Sequence, residues 1–191
     1  MSQIYILEHL DKELFPWCLI EYKRISKFVG KQNLWYTNIQ DKDKKKLIKY
    51  GKVFKESVKS MKLDSVCILD PEANITLKPE DKNKFKYIII GGILGDYPPQ
   101  KRTEELITNY MPSAEKRNLG KEQLSTDNAS YVAHKILSGT PLENIKFTDA
   151  PEIRVNEIES VSLPFRYPLV NGKAQMSKRI IKHLKSNPGF F

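Results

Sequence analysis

Strands that alternate with helices predict an α/β fold built on a mainly parallel sheet. Three observations carry that expectation. Short apolar runs at Ile4–Leu7, Leu34–Ile39, Val66–Leu69 and Tyr87–Ile90 have the length and composition of buried strands. Longer segments with apolar residues at helical spacing separate or follow them. One of these runs then breaks into glycines and prolines, as Tyr87–Pro99 (YIIIGGILGDYPP), where a parallel sheet would present its carboxyl edge to a ligand.

Taken in order, Ile4–Leu7 is the first strand. Asp11 is placed to cap a helix running through Trp17 to Phe28, with Pro16 early in it and Gly30 near its end. Its residues Leu14, Trp17, Cys18, Tyr22, Ile25 and Phe28 share a face. Leu34–Ile39 is the second strand, and Asp41–Met61 reads as a Lys-heavy helix with Leu47, Val53, Phe54 and Val58 on its apolar side. Val66–Leu69 is closed by Asp70-Pro71. Pro71–Lys84 is a polar loop with a brief strand at Ile75–Leu77, and Thr103–Tyr110 is helical after the Pro98-Pro99 turn. Ser125–Leu137 carries a run of capping residues at its start and is stopped by Gly139. Ile145–Phe147, Ile153–Val155 and Ser160–Leu163 are strand-like, and Met176–Lys185 is a closing helix. No repeat or linker divides the chain, so residues 1–191 are expected to form a single domain.

The chain has 191 residues, is 40% hydrophobic, and carries a formal charge of +9. It can bury a real core, which excludes a disordered chain. The positive balance suits nucleic acid or a nucleoprotein surface, or else a solvated Lys-rich face. Cys18 and Cys67 form no CxxC pair, and His9, His134 and His183 have no metal-ligand spacing, so no metal is expected. No amino-terminal targeting pattern and no run of membrane-spanning length occurs, which predicts a soluble, cytoplasmic protein.

The glycine turn Gly91–Asp96 is neither a Walker loop nor a G-x-G-x-x-G fingerprint. Asp96 and the prolines after it stand where a pyrophosphate would need open backbone donors. A phosphate-poor, positively charged cofactor such as S-adenosylmethionine fits better, and a plain turn is the competing reading. A second stretch, Glu159–Pro168 (ESVSLPFRYP), offers an apolar, proline-stiffened wall at Leu163-Pro164-Phe165. Arg166 then either faces the ligand or pairs with a neighbouring acid.

These two loops, with Ser125–Ile136 (STDNASYVAHKI), Phe147–Ile153 (FTDAPEI) and Glu8–Lys23 (EHLDKELFPWCLIEYK), resemble one arm of the SPOUT methyltransferase superfamily. That arm contains ribosomal-protein arginine methyltransferases of yeast and their archaeal relatives. The resemblance touches nearly the whole chain. It implies a Rossmann-like domain whose carboxyl-terminal part forms a deep trefoil knot, which no propensity could indicate. It also implies S-adenosylmethionine bound by Leu69 and Asp70, by Ile90, Gly91, Gly92, Gly95 and Asp96, and by Ser162, Leu163, Pro164, Phe165 and Arg166. Many SPOUT enzymes are homodimers; the number of subunits here stays open.

If the methyl acceptor is an arginine side chain of a ribosomal protein, carboxylates must orient a guanidinium and offset its charge. Glu8, Glu21 and Asp96 are the candidates. Asp127 reads first as a helix cap, and His9 is a candidate general base that can equally be structural. If the acceptor is RNA, Lys42–Lys62 or Lys173–Lys185 offers a basic approach, with Trp35, Tyr36 and Tyr97 as stacking candidates. A binding module without catalysis is the third reading.

Overall fold

The computed structural model describes residues 2–93, 100–154 and 160–186. Its frame is a six-stranded sheet in which every pairing is parallel. Strands β1 (Ile4–His9), β2 (Leu34–Thr37), β3 (Lys52–Val53), β4 (Val66–Leu69), β5 (Tyr87–Gly92) and β6 (Glu115–Arg117) lie in the order β3-β2-β1-β5-β4-β6. The central pair is in register from Ile4 opposite Tyr87 to His9 opposite Gly92. Both strands are covered on two faces, which is why they read as unbroken apolar runs.

Helix α1 (Pro16–Val29) and helix α4 (Thr126–Leu137) cover one face. Tyr5, Leu7, Cys67, Leu69, Ile88 and Ile90 point into that layer and meet Tyr22, Ile25, Val132 and Ile136. Ile6, Ile68 and Ile89 alternate to the opposite face, where Val58 and Ile107 cover them. Pro16 occupies the first turn of α1, where its missing N–H costs nothing, and Gly30 ends the helix at φ 80°. Asp11 does not cap this helix. Phe15 stands at the cap, and Asp11 faces Arg102 at 3.7 Å.

The Lys-heavy helix is much shorter than its composition indicates. Helix α2 spans Asp41–Leu47, and the chain then turns at Gly51 to add β3 beside β2. A Cβ at Gly51 would lie 2.5 Å from the Leu34 carbonyl oxygen and 2.8 Å from the Tyr36 ring. Only glycine lets the chain return this closely. Val58 therefore reaches the core from a short 3₁₀ turn, while half-buried Phe54 packs on the Trp35 ring from a loop.

Helix α3 is also short, Arg102–Leu106, and a 3₁₀ turn at Thr108–Tyr110 follows it. The carboxyl-terminal third adds two small antiparallel sheets. Strand β7 (Phe147–Asp149) pairs β10 (Arg166–Val170), which pairs β11 (Lys173–Ala174), and β8 (Glu152–Arg154) pairs β9 (Ser160–Ser162). Helix α5 (Lys178–Ser186) closes the described chain. It packs Ile180 and Leu184 into a third apolar cluster with Trp17, Leu163, Phe165 and Tyr167. No described helix is long and apolar enough to cross a membrane.

Candidate active site

A cavity of about 290 Å³ opens at the carboxyl edge of the sheet. That volume sits near the lower end of the ~300–1,000 Å³ usual for small-molecule sites. Leu69 and Asp70 from the end of β4 line it, as do Ile90, Gly91 and Ile93 at the end of β5. The segment from Leu119 to Thr126, Phe165, and Trp17 with Glu21 from α1 add to the wall, and Glu72, Lys101, Arg102 and Arg117 bring further charge to it. Gly91 and Ile93 from the start of the glycine turn and Phe165 from the proline-stiffened stretch thus share one hollow.

Backbone pairing brings them together. The Arg166 N–H donates to the Gln123 carbonyl at 2.8 Å, and Leu124 and Arg166 form a parallel bridge. The Phe165 N–H returns to the Leu163 carbonyl at 2.8 Å, a tight bend with Pro164 at its centre. Phe165 is thereby delivered to the cavity while Leu163 is left in the core beneath it. Ser162 bonds the Ala150 carbonyl, and Arg166 forks onto Asp149 at 2.7 and 3.1 Å. The Arg166 hydrogen bond holds the Asp149 carboxyl below its ordinary pKa. Ser162, Leu163, Pro164 and Arg166 do not line the cavity.

Gly92 also stands back from the cavity. The space it leaves is taken by Tyr22, whose hydroxyl would lie 2.0 Å from a Cβ at that position. That hydroxyl bonds His9 Nδ1 at 2.9 Å. Burial holds the His9 pKa below its ordinary value against several nearby carboxylates. We expect Gly92→Ala to displace Tyr22 and cost about 1–3 kcal/mol of stability. Urea unfolding checks this; an unchanged midpoint would mean that the Tyr22 contact yields freely. Gly95 and Asp96 lie outside the described residues.

Of the carboxylates, Glu8 is fully buried on the far face of the sheet. Its oxygens accept from Thr37 Oγ1 at 2.5 Å, Ser57 Oγ at 2.6 Å and the Val58 N–H at 3.0 Å. It anchors the loop after β3 and does not reach the cavity. Asp70 does line it, with one oxygen taken by Thr108 Oγ1 at 2.7 Å and the other by the Glu72 N–H at 3.0 Å.

Glu21 is different. It is 3% exposed, and its Oε1 accepts from Trp17 Nε1 at 2.8 Å, one helical turn away. Its closest charged neighbours are Asp127 and Arg24. Arg24 is already bound to Asp127, whose other oxygen accepts from Ser125 Oγ at 2.8 Å. Two carboxylates therefore share one cation here, and Glu21 makes no ion pair with a described residue. Burial, then the Asp127 charge, push its carboxyl well above the ordinary range; the Trp17 and Thr126 bonds and Arg24 pull the other way.

That shift has a signed consequence. The native state keeps the Glu21 proton at pH values where the unfolded chain has lost it. This group's contribution to stability is full below the ordinary pKa of 4.5 and is lost as pH rises towards the raised value. We expect wild type to lose stability relative to Glu21→Gln across that window, read by urea unfolding at successive pH values. A constant difference would contradict the assigned proton.

The chemistry of the lining fits S-adenosylmethionine. Leu69, Ile90, Leu119, Leu124, Ala129 and Phe165 offer apolar surface for an adenine; the lining charges are mixed, with Lys101, Arg102, Arg117 and Lys121 suited to a ligand carboxylate and Glu21 and Asp70 to its cationic groups. Gln123 Oε1 is buried with no described hydrogen-bond partner, an acceptor available to a ligand N–H. Trp17, Gln123 and Thr126 were absent from the sequence expectation. The Trp17–Glu21 spacing of one helical turn was a readable signal for the first; the polar loop before α4 carried none for Gln123.

Comparison with known proteins agrees with this geometry. A protein arginine N-methyltransferase from Saccharomyces cerevisiae, SFM1, is 39% identical over 182 residues, covering 86% of this chain and 85% of its own length. The crystal structure of yeast SFM1 complexed with S-adenosylmethionine superposes with a TM-score of 0.89 at 36% identity, covering 97% of this chain and 91% of that one. The dual-specific Trm10 of Thermococcus kodakaraensis, 14% identical with a TM-score of 0.55 over 73% of this chain and 95% of that one, shares the fold. The family described as protein arginine N-methyltransferase SFM1-like matches residues 4–189, and the chain belongs to it.

Proposed function

We propose that this S-adenosylmethionine-dependent methyltransferase modifies an arginine side chain of a protein, and that the protein is a ribosomal one. The observation that carries the arginine reading is Glu21, a buried carboxylate in the cavity wall beside a cation already bound to Asp127. A guanidinium bound there takes the place of the Glu21 proton and leaves the carboxylate charged beside it. The ribosomal reading is supported by the net charge of +9, which suits a nucleoprotein target.

When bound, S-adenosylmethionine supplies a methyl group on a sulfonium. Leu69, Ile90, Gly91 and Phe165 form its cradle in this reading, with Gln123 Oε1 accepting from one of its N–H groups. Asp70 adds negative charge beside them. Glu21 fixes the acceptor. Trp17 and Thr126 steady the carboxyl group, and its remaining lone pairs are placed to take a guanidinium N–H in a charge-assisted bond. Orientation is the main demand of an in-line transfer. Guanidinium binding displaces the Glu21 proton to solvent; the nitrogen that gains a methyl then sheds a proton, and the carboxylate, with its raised pKa, is suited to receive it.

Incubation of ribosomal extract with methyl-labelled cofactor tests the reading. We expect label that survives ribonuclease, is lost to protease, and is recovered as methylarginine after hydrolysis. Label released by ribonuclease would transfer the activity to RNA. Absence of calorimetric cofactor binding would leave only a binding module.

The carboxyl-terminal part is inferred to be the deep trefoil knot that the SPOUT resemblance implies. Support comes from the backbone pairing of Gln123 and Leu124 with Arg166 and from the return of α5 onto α1. Stretching by both termini tests it. A knotted chain stops short of the full ~3.3–3.6 Å per residue; an unknotted one reaches it.

A further inference from the structure

Helix α5 has an outward face that the transfer chemistry does not use. Lys173 in β11 and Lys178, Arg179, Lys182 and Lys185 in α5 are all exposed. No acidic residue occurs between positions 171 and 186, and none of these five cations pairs with a described residue. In the other basic stretch acids are interspersed: Asp43 holds Lys46 and Asp41 holds Lys55, while Lys52 and Lys59 lie over aromatic rings.

Two features fix what this face can take. Its apolar side is spent internally, with Ile180 and Leu184 buried, so the helix cannot lie on a lipid surface by that side. The remaining cations are mostly lysines, point charges that suit phosphate oxygens without reading a base. Lys178, Lys182 and Lys185 recur at helical spacing and form one row. A nucleic-acid strand presents a charge about every 3.4 Å, denser than an acidic protein patch offers.

The row also lies close to the cavity. Trp17 and Phe165, which wall it, are packed in one cluster with Ile180 and Leu184. One layer of side chains separates the two surfaces.

We propose that the outward face of α5, with Lys173, is a docking strip for the phosphate backbone of RNA, so that the target arginine is presented from a ribonucleoprotein. The strip binds RNA without sequence preference and sets an enzyme–substrate approach that a short peptide does not use. The substrate half of this statement rests on the arginine-methyltransferase reading; the RNA-binding half does not.

The test uses the full chain and a fluorescently labelled single-stranded RNA of about twenty nucleotides, long enough to span such a groove. Lys178→Ala, Lys182→Ala and Lys185→Ala are combined, because alanine preserves the helix. We expect RNA affinity to fall at least about tenfold near 100 mM salt, and the log–log salt slope to shrink by about two for three lost contacts. Thermal stability and methylation of an arginine peptide should be unchanged. Unaltered affinity and slope would overturn the strip. Displacement of RNA by polyglutamate at equal charge would also overturn it, assigning the face to an acidic protein. If the triple variant loses RNA while no protein is ever methylated, the strip stands and the arginine reading fails. If peptide and ribonucleoprotein methylation decline equally, the proposed presentation fails.

Discussion

Glu21→Gln should lower turnover by about 10²–10³-fold, the usual cost of deleting a preorganised electrostatic group. The amide keeps the shape of the side chain, and its oxygen can still accept from Trp17 Nε1. What disappears is the charge that complements a guanidinium and the oxygen that receives its proton. Cofactor affinity should hold, because the expected adenine surface is built by other residues. Stability should hold or rise, since a neutral amide buries at less cost than a carboxylate next to Asp127. Single-turnover kinetics with calorimetry on the same sample separates these quantities. Full turnover in this variant would remove Glu21 from the chemistry, and loss of cofactor binding would make it part of the cradle.

Arg24→Met should produce the largest loss of stability, about 3–5 kcal/mol, because it strands a buried charge. Asp127 is 1% exposed and Arg24 14%, so water cannot replace the lost guanidinium. Pairing the change with Asp127→Asn should recover most of the loss, since the stranded charge is then gone. A urea-unfolding double-mutant cycle measures the coupling. Additive losses would show that the two side chains merely neighbour each other. The cycle bears on function as well: with Arg24 absent, the Asp127 charge acts on Glu21 unopposed, and Glu21 should hold its proton to still higher pH.

The parallel frame was legible because β1, β4 and β5 are buried on both faces and carry unbroken apolar runs. Helices α1 and α4 were legible because each buries one stripe against that frame. The long lysine helix was not, because one close backbone contact at Gly51 decides where it stops. Strand β6 is Glu-Lys-Arg and carries no apolar signal. It is a strand through pairing with β4 and through the Arg117 fork onto Asp81 at 3.1 Å. Within the candidate site, Leu69, Asp70, Ile90, Gly91, Phe165 and Glu21 gather in one hollow. Glu8 could not be separated from Glu21 by sequence. Both are acids beside apolar residues, and only the donors at Thr37, Ser57 and Val58 distinguish a carboxylate anchored on the far face from one in the cavity wall. Gly92 misled for a related reason: a glycine announces a close approach, not whether ligand or tyrosine makes it.

Both margins of the six-stranded sheet end in very short strands, Lys52–Val53 on one side and Glu115–Arg117 on the other. A margin of two or three residues, studded with charge, gives a second polypeptide little to zip onto. The protein can therefore be concentrated, or crowded against other chains that are still folding, without its hydrogen-bonded ribbon propagating from one molecule to the next.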